Sequence, residues 1–110
     1  MRRRNGNALT RNEEHVLLTA VQLLSEGMST FHGYPLAQAM RGGQQMNYAT
    51  LYRCLDRLEQ RGFLSSDWRV PDDSAQARRV YEVTGAGISH AATIESDARD
   101  GVLKISDLGT

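Results

Sequence analysis

A chain of 110 residues is long enough for one modest core, and its apolar content of 40% and charged content of 24% are ordinary for a soluble globular domain. No apolar run approaches the length of a membrane span, no signal-peptide pattern opens the chain, and a single cysteine excludes an internal disulfide and fits a reducing cytoplasm. Formal net charge is zero, with 11 Lys/Arg against 9 Asp/Glu up to Val83 and 2 against 4 from Thr84 onward, so any surface for a polyanion has to be a local patch.

Residues 1–8 carry three arginines, Arg2 to Arg4, and no apolar pattern, the composition of a disordered basic tail. Thr10 and Glu13 have the spacing of a capping box and predict a first helix, with Val16, Leu17, Ala20, Val21 and Leu24 on one side and an end near Gly27. His32-Gly33-Tyr34-Pro35 reads as a turn leading into a short second helix, with Leu36, Ala39 and Met40 as its apolar stripe and Gly42-Gly43 as its stop.

The third helix is the most strongly patterned. Leu51, Leu55 and Leu58 recur at spacings of four and three, Cys54 lies beside them, Asn47 is an N-cap, and Gly62 supplies the stop. The opposite face carries Tyr48, Ala49, Tyr52, Arg53, Asp56 and Gln60. Two tyrosines, a small residue and an arginine near a helix N-terminus can meet a phosphate backbone and a base edge together; a solvated polar face is the plainer reading of the same pattern.

Residues 63–70 and 78–83 read as two strands joined by a polar turn at Pro71-Asp72-Asp73-Ser74, a hairpin with a long tip. Thr84 then caps a last helix running to about Gly101. Three short helices followed by a hairpin and a further helix is the α+β order of a winged helix-turn-helix, in which the third helix enters the major groove and the wing meets the flanking backbone.

At this point the chain resembles the PadR-like transcriptional regulators over roughly residues 10 to 90. Gly33-Tyr34 with Leu36 resembles the family's second-helix opening. Thr50-Leu51-Tyr52-Arg53 with Leu55, Leu58-Glu59 and Gly62 resembles its recognition helix, and Trp68 stands where the first wing strand often carries a tryptophan. Arg78-Arg79-Val80-Tyr81, Val83-Thr84 and Gly87 resemble the family's second wing strand and the Thr-x-x-Gly after it. Asn47-Tyr48-Ala49 departs from the family's Ser/Thr-Pro-Gly, Ser74-Ala75-Gln76-Ala77 replaces its Gly-Arg-Pro wing tip, and Val80 replaces an aromatic.

The resemblance implies a bacterial, cytoplasmic, dimeric repressor of the short branch: a tail at 1–8, a winged-helix domain at 9–84 and a dimerisation helix with its tail at 85–110. It places Tyr48, Ala49, Thr50, Tyr52, Arg53, Arg78 and Arg79 at operator DNA. Tyr52 would give its hydroxyl to a phosphate and Arg53 would reach a phosphate or a guanine edge, while Tyr48 could instead pack under the second helix. Strand alternation sends Arg78 and Arg79 to opposite faces, so one can face DNA while the other lies over the sheet. Asp56, which would repel phosphate, is expected to pair with Gln60 or Arg53. The alternative is a winged-helix protein–protein module without DNA binding, which the zero net charge keeps open.

The remaining features are expected to be structural. Gly85-Ala86-Gly87 looks like the start of a dinucleotide fingerprint, but His90 holds the third glycine position and the chain has no room for parallel βαβ units, so the glycines are expected to permit close packing at a turn. Cys54 is expected to be a buried, inert thiol. His15, His32 and His90 share no ligand spacing, and no nucleophile motif or cofactor signature is evident, so neither metal, cofactor nor enzymatic activity is expected. Trp68 is expected to pack in the core, as a wedge between wing and body, or at an interface, or, as short members of the family can bind flat effectors between subunits, to line such a pocket. Gly87, Ala91, Ile94, Ala98 and Gly101 run at heptad spacing, and Ala91, Ile94 and Ala98 are expected to form the dimer interface.

Overall fold

The computed structural model describes residues 8–40, 46–70 and 77–109, the side chains from 98 onward excepted. The arginine tail, the Gly42-Gly43 stop and the turn at 71–76 lie outside the described residues, as do the side chains of Ala98, Gly101, Leu103, Ile105 and Leu108. The elements are α1 (Arg11–Ser25), α2 (Gly33–Ala39), α3 (Tyr48–Gln60), β1 (Leu64–Arg69), β2 (Arg78–Val83) and α4 (Gly85–Gly109). This is an α+β winged helix-turn-helix.

Local chemistry explains most of the boundaries. The Thr10 hydroxyl accepts from the Glu13 N–H at 3.1 Å and the Glu13 carboxylate accepts from the Thr10 N–H at 2.9 Å, closing the capping box that starts α1. The Asn47 side chain accepts from the Thr50 N–H at 2.8 Å and starts α3. Gly27 and Gly62 come after α1 and α3 with φ of +98° and +83°, left-handed geometry that glycine adopts without strain.

The core gathers Val16, Leu17, Ala20 and Leu23 of α1, Leu36 of α2, Leu51, Leu55 and Leu58 of α3, and Leu64, Tyr81 and Val83 of the wing. Full burial of each large aliphatic side chain stabilises the fold by about 1.5–3 kcal/mol. α1 lies at the centre and packs on α2, α3 and α4. On α2 the stripe is Leu36 and Met40, while Ala39 is exposed.

The wing is antiparallel, with Leu64 opposite Val83 at its root and Arg69 opposite Arg78 at its outer end. Leu64, Ser66 and Trp68 share one face with Val83, Tyr81 and Arg79, and Arg78 belongs to the other. Phe31 adds an unexpected third edge: it exchanges both backbone hydrogen bonds with Tyr81, at 2.8 and 3.0 Å, and its ring stacks on Tyr81. The loop before α2 is thereby fastened to β2.

The Thr84 hydroxyl accepts from the Gly87 N–H at 3.0 Å and caps α4 as expected. The helix continues past Gly101 to Gly109, since one interior glycine costs a helix only about 1 kcal/mol. Ala91, expected at a subunit interface, is 1% exposed and belongs to the chain's own core, with Ile94 packed beside it. α4 packs on α1, and Ala91 and Ile94 of the stripe are used within the chain. No helix among the described residues is long and apolar enough to cross a membrane.

Candidate nucleic-acid interface

The leucine face of α3 is sunk in the core, which forces the opposite side outward. Ala49, Arg53, Asp56 and Gln60 form the outermost row and all are exposed. Tyr48 and Tyr52 run along the flank toward α2 and the wing, 49% and 40% exposed, with ring centroids 6.5 Å apart. The Tyr52 ring tip lies against Gly33, at the start of α2, where a Cβ would collide with it. Gly33 thus seats Tyr52, and Tyr48 stays in solvent rather than under α2. Thr50 turns to the other flank, half-buried beside Thr10, Asn12 and Cys54.

Arg53 is exposed and makes no ion pair among the described residues. Arg57, one turn on, is tied to the buried Glu13 at 3.7 Å. Sequence spacing assigned Glu13 its capping role only; its carboxylate also joins α1 to α3.

The two wing arginines have different surroundings. Arg78 is exposed, with no ion pair among the described residues. Arg79 turns toward α3: its Nη2 donates to Glu59 Oε1 at 2.7 Å, its Nε donates to Ser66 Oγ at 3.1 Å, and its Nη1 is 3.5 Å from Asp56 Oδ1. Burial alone would weaken the Arg79 cation, but Tyr81, Glu59 and Asp56 outweigh it and hold the guanidinium above the ordinary arginine range. Asp56 therefore pairs across to the wing, not along its own helix with Gln60 or Arg53.

Between the wing and α2–α3 lies an open groove of about 690 Å³, its walls including Tyr34, Tyr52, Asp56, Trp68, Arg79 and Tyr81. Trp68 faces the body yet is 64% exposed, so it is a wall of this groove and not a core wedge. Tyr81 is fully buried, and its hydroxyl has no hydrogen-bond partner among the described residues. Burial, with Asp56, Tyr52 and Glu59 nearby, raises the Tyr81 phenol above its ordinary value against the opposing pull of Arg79. Among the described residues, no group of three or more His, Cys, Asp or Glu could hold a metal ion.

The structure thus brings Tyr48, Ala49, Tyr52 and Arg53 to one surface with the groove and wing beside them, and sets Thr50 and Arg79 apart. Sequence reasoning missed the Arg79–Glu59–Asp56 network, because no local spacing rule connects residues 20 positions apart.

Comparison with known proteins gives a consistent picture. The family model described as the transcriptional regulator PadR-like family matches residues 21–93. A transcriptional regulator of Mycobacterium tuberculosis, Rv3488, is 47% identical over 57 residues. That match covers 51% of each protein, so the chain spans about half the length of the curated relative it matches. A PadR family transcriptional regulator from Eggerthella lenta is similar in structure with a TM-score of 0.63 at 29% identity, covering 82% of this chain and 79% of that one. A PadR family transcription regulator from Clostridium difficile shares the fold with a TM-score of 0.70 at 18% identity, covering 87% of this chain and 99% of that one.

Proposed function

The chain belongs to the PadR-like family of transcriptional regulators, and from that premise we propose that it is a dimeric DNA-binding repressor that reads the major groove with α3 and meets the flanking backbone with its wing. The observation that carries this reading is the outer row of α3. A helix seated firmly in the core presents an exposed arginine without an ion pair among the described residues, beside Ala49, which leaves room for close approach.

In such a complex Arg53 would read a base edge, because the N-terminal part of a recognition helix enters the groove. Tyr48 and Tyr52 would meet phosphates at the groove edge. Arg78, on the outer wing face, is the better wing candidate for phosphate, since its cation is not paired with any described carboxylate. Phosphate contacts set position and base contacts set specificity.

The experiment is an electrophoretic mobility shift on DNA from the protein's own promoter region, followed by binding to operator and scrambled duplexes across a salt series. Arg53→Ala is expected to lose about 1–3 kcal/mol on the operator and much less on scrambled DNA. Arg78→Ala is expected to weaken both alike and to lower the salt slope by about one. Equal loss on both duplexes for Arg53→Ala would remove base reading from Arg53. No shift at any duplex would favour the protein–protein module, which zero net charge alone supports.

A further inference from the structure

We infer that Arg79 acts on DNA binding as a positioning residue, a strut that sets the angle between the wing and α3, and not as a phosphate contact; this rests on the DNA-binding reading above. The wing is held at its root, where Leu64 and Val83 are buried side by side. Farther out, Tyr81 is fastened to Phe31 by two backbone hydrogen bonds and the His32 ring lies 3.4 Å from the Arg79 carbonyl, but both ties run to the start of α2 and neither reaches α3. Arg79 lies four residues farther out, roughly 13 Å along an extended strand, opposite Trp68. There it is bound at once to β1, through Ser66, and to the second half of α3, through Glu59 and Asp56.

The network is closed. Ser66 Oγ accepts from Arg79 and lies 2.8 and 2.9 Å from the two oxygens of the Glu59 carboxylate, to which it donates. Asp56 and Glu59 stand three apart on α3, on the side turned to the wing. All three guanidinium nitrogens therefore already face oxygens of the chain. Two carboxylates face one cation, so the local charge is negative, and a phosphate approaching the two N–H groups left over would meet that charge at a side chain only one-third exposed. The guanidinium also lies 5.5 Å from the Tyr81 ring centre and 6.0 Å from that of Trp68, so the fork is bracketed by rings as well as by oxygens.

The strut and the phosphate contact predict opposite signs for one variant. Removing the Glu59 carboxylate next to DNA should tighten binding if charge alone matters, and should weaken it if the carboxylate holds the strut. Arg79→Ala, Arg79→Lys, Glu59→Ala and the Arg79→Ala/Glu59→Ala double variant are measured on one duplex selected from a random pool, across a salt series and well below their melting temperatures. Arg79→Ala and Glu59→Ala are each expected to lose about ten-fold in affinity with an unchanged salt slope. The double variant should lose little more, and Arg79→Lys should recover only part, because an ammonium cannot reproduce the planar fork. A salt slope lowered by about one in Arg79→Ala, or tighter binding by Glu59→Ala, overturns the strut. Without DNA, the emission of Trp68, the chain's single tryptophan, should shift alike in both single variants, and their effects on melting should be strongly non-additive. Additive melting effects with an unmoved Trp68 overturn the strut even if the parent protein binds no duplex, an outcome that would remove the DNA-binding reading separately.

Discussion

Cys54 illustrates how position decides chemistry. It sits on the inner face of α3, and burial pushes its thiol above the ordinary cysteine range, with Glu13 adding to the shift and Arg53 opposing it. A raised value in the folded state means that folding favours the neutral thiol. That contribution is fully present below the ordinary thiol range and fades only as pH climbs through the raised value. At neutral pH Cys54 is therefore a small apolar filler, and a thiol-specific reagent should label it slowly in the native protein and rapidly once the protein is unfolded. Cys54→Ser should leave DNA affinity within a few-fold under oxidising and reducing conditions alike. Rapid native labelling, or a redox response lost with the cysteine, would make it a sensor instead. The same dependence on surroundings separates Arg78 from Arg79: adjacent residues of one type, sent to opposite faces by strand alternation, find solvent on one side and two carboxylates on the other.

What was legible in the sequence at the level of helices and strands was local. The Thr10 capping box, the Asn47 cap, the positive-φ glycines after α1 and α3 and the leucine stripe of α3 each involve residues within four positions of one another, and each occurs as expected. The Phe31–Tyr81 bridge, the Glu13–Arg57 link and the Glu59–Arg79 pair join residues far apart in the chain, which periodicity does not reach. The glycines opening α4 fall between these cases. Both were expected to permit close packing, but only Gly87 does so: a Cβ there would run into the Phe63 carbonyl and the Val83 side chain, whereas Gly85 faces open space. Phe63 in turn stacks on His90, with centroids 4.6 Å apart, so the start of α4 is pressed onto the wing root. Gly87→Ala should accordingly cost about 1–3 kcal/mol, because the obstacle is backbone and has little freedom to move. Gly85→Ala, at an exposed first helical position, should be neutral or stabilise by up to about 1 kcal/mol. Equal melting temperatures for the two variants would show that α4 does not depend on this contact.

The arrangement of the whole molecule turns on α4, whose 25 residues would span about 37 Å. Its first half is accounted for within the chain: Gly87 meets the wing root, and Ala91 and Ile94 join the core beside α1. Glu95, Ser96 and Asp97, which come next, are exposed. In sequence, Ala98, Gly101, Ile105 and Leu108 continue the same four–three spacing beyond that point. We propose that the heptad row is divided, its first half spent on the chain's own core and its second half on a second subunit. The two halves then answer differently to mutation. Ala91→Glu places a charge in the core and should destabilise the monomer fold by several kcal/mol, and loss of association would be secondary to that. Ile105→Glu combined with Leu108→Glu should leave the winged-helix body folded, halve the mass seen in light scattering, and weaken operator binding, because two recognition helices acting on adjacent half-sites gain from being linked. If Ala91→Glu yields a folded monomer, the first half of α4 is the interface after all. A dimer that survives the paired substitutions would place the contact elsewhere on the body, and the spacing beyond Asp97 would then be no more than the continuation of a regular helix.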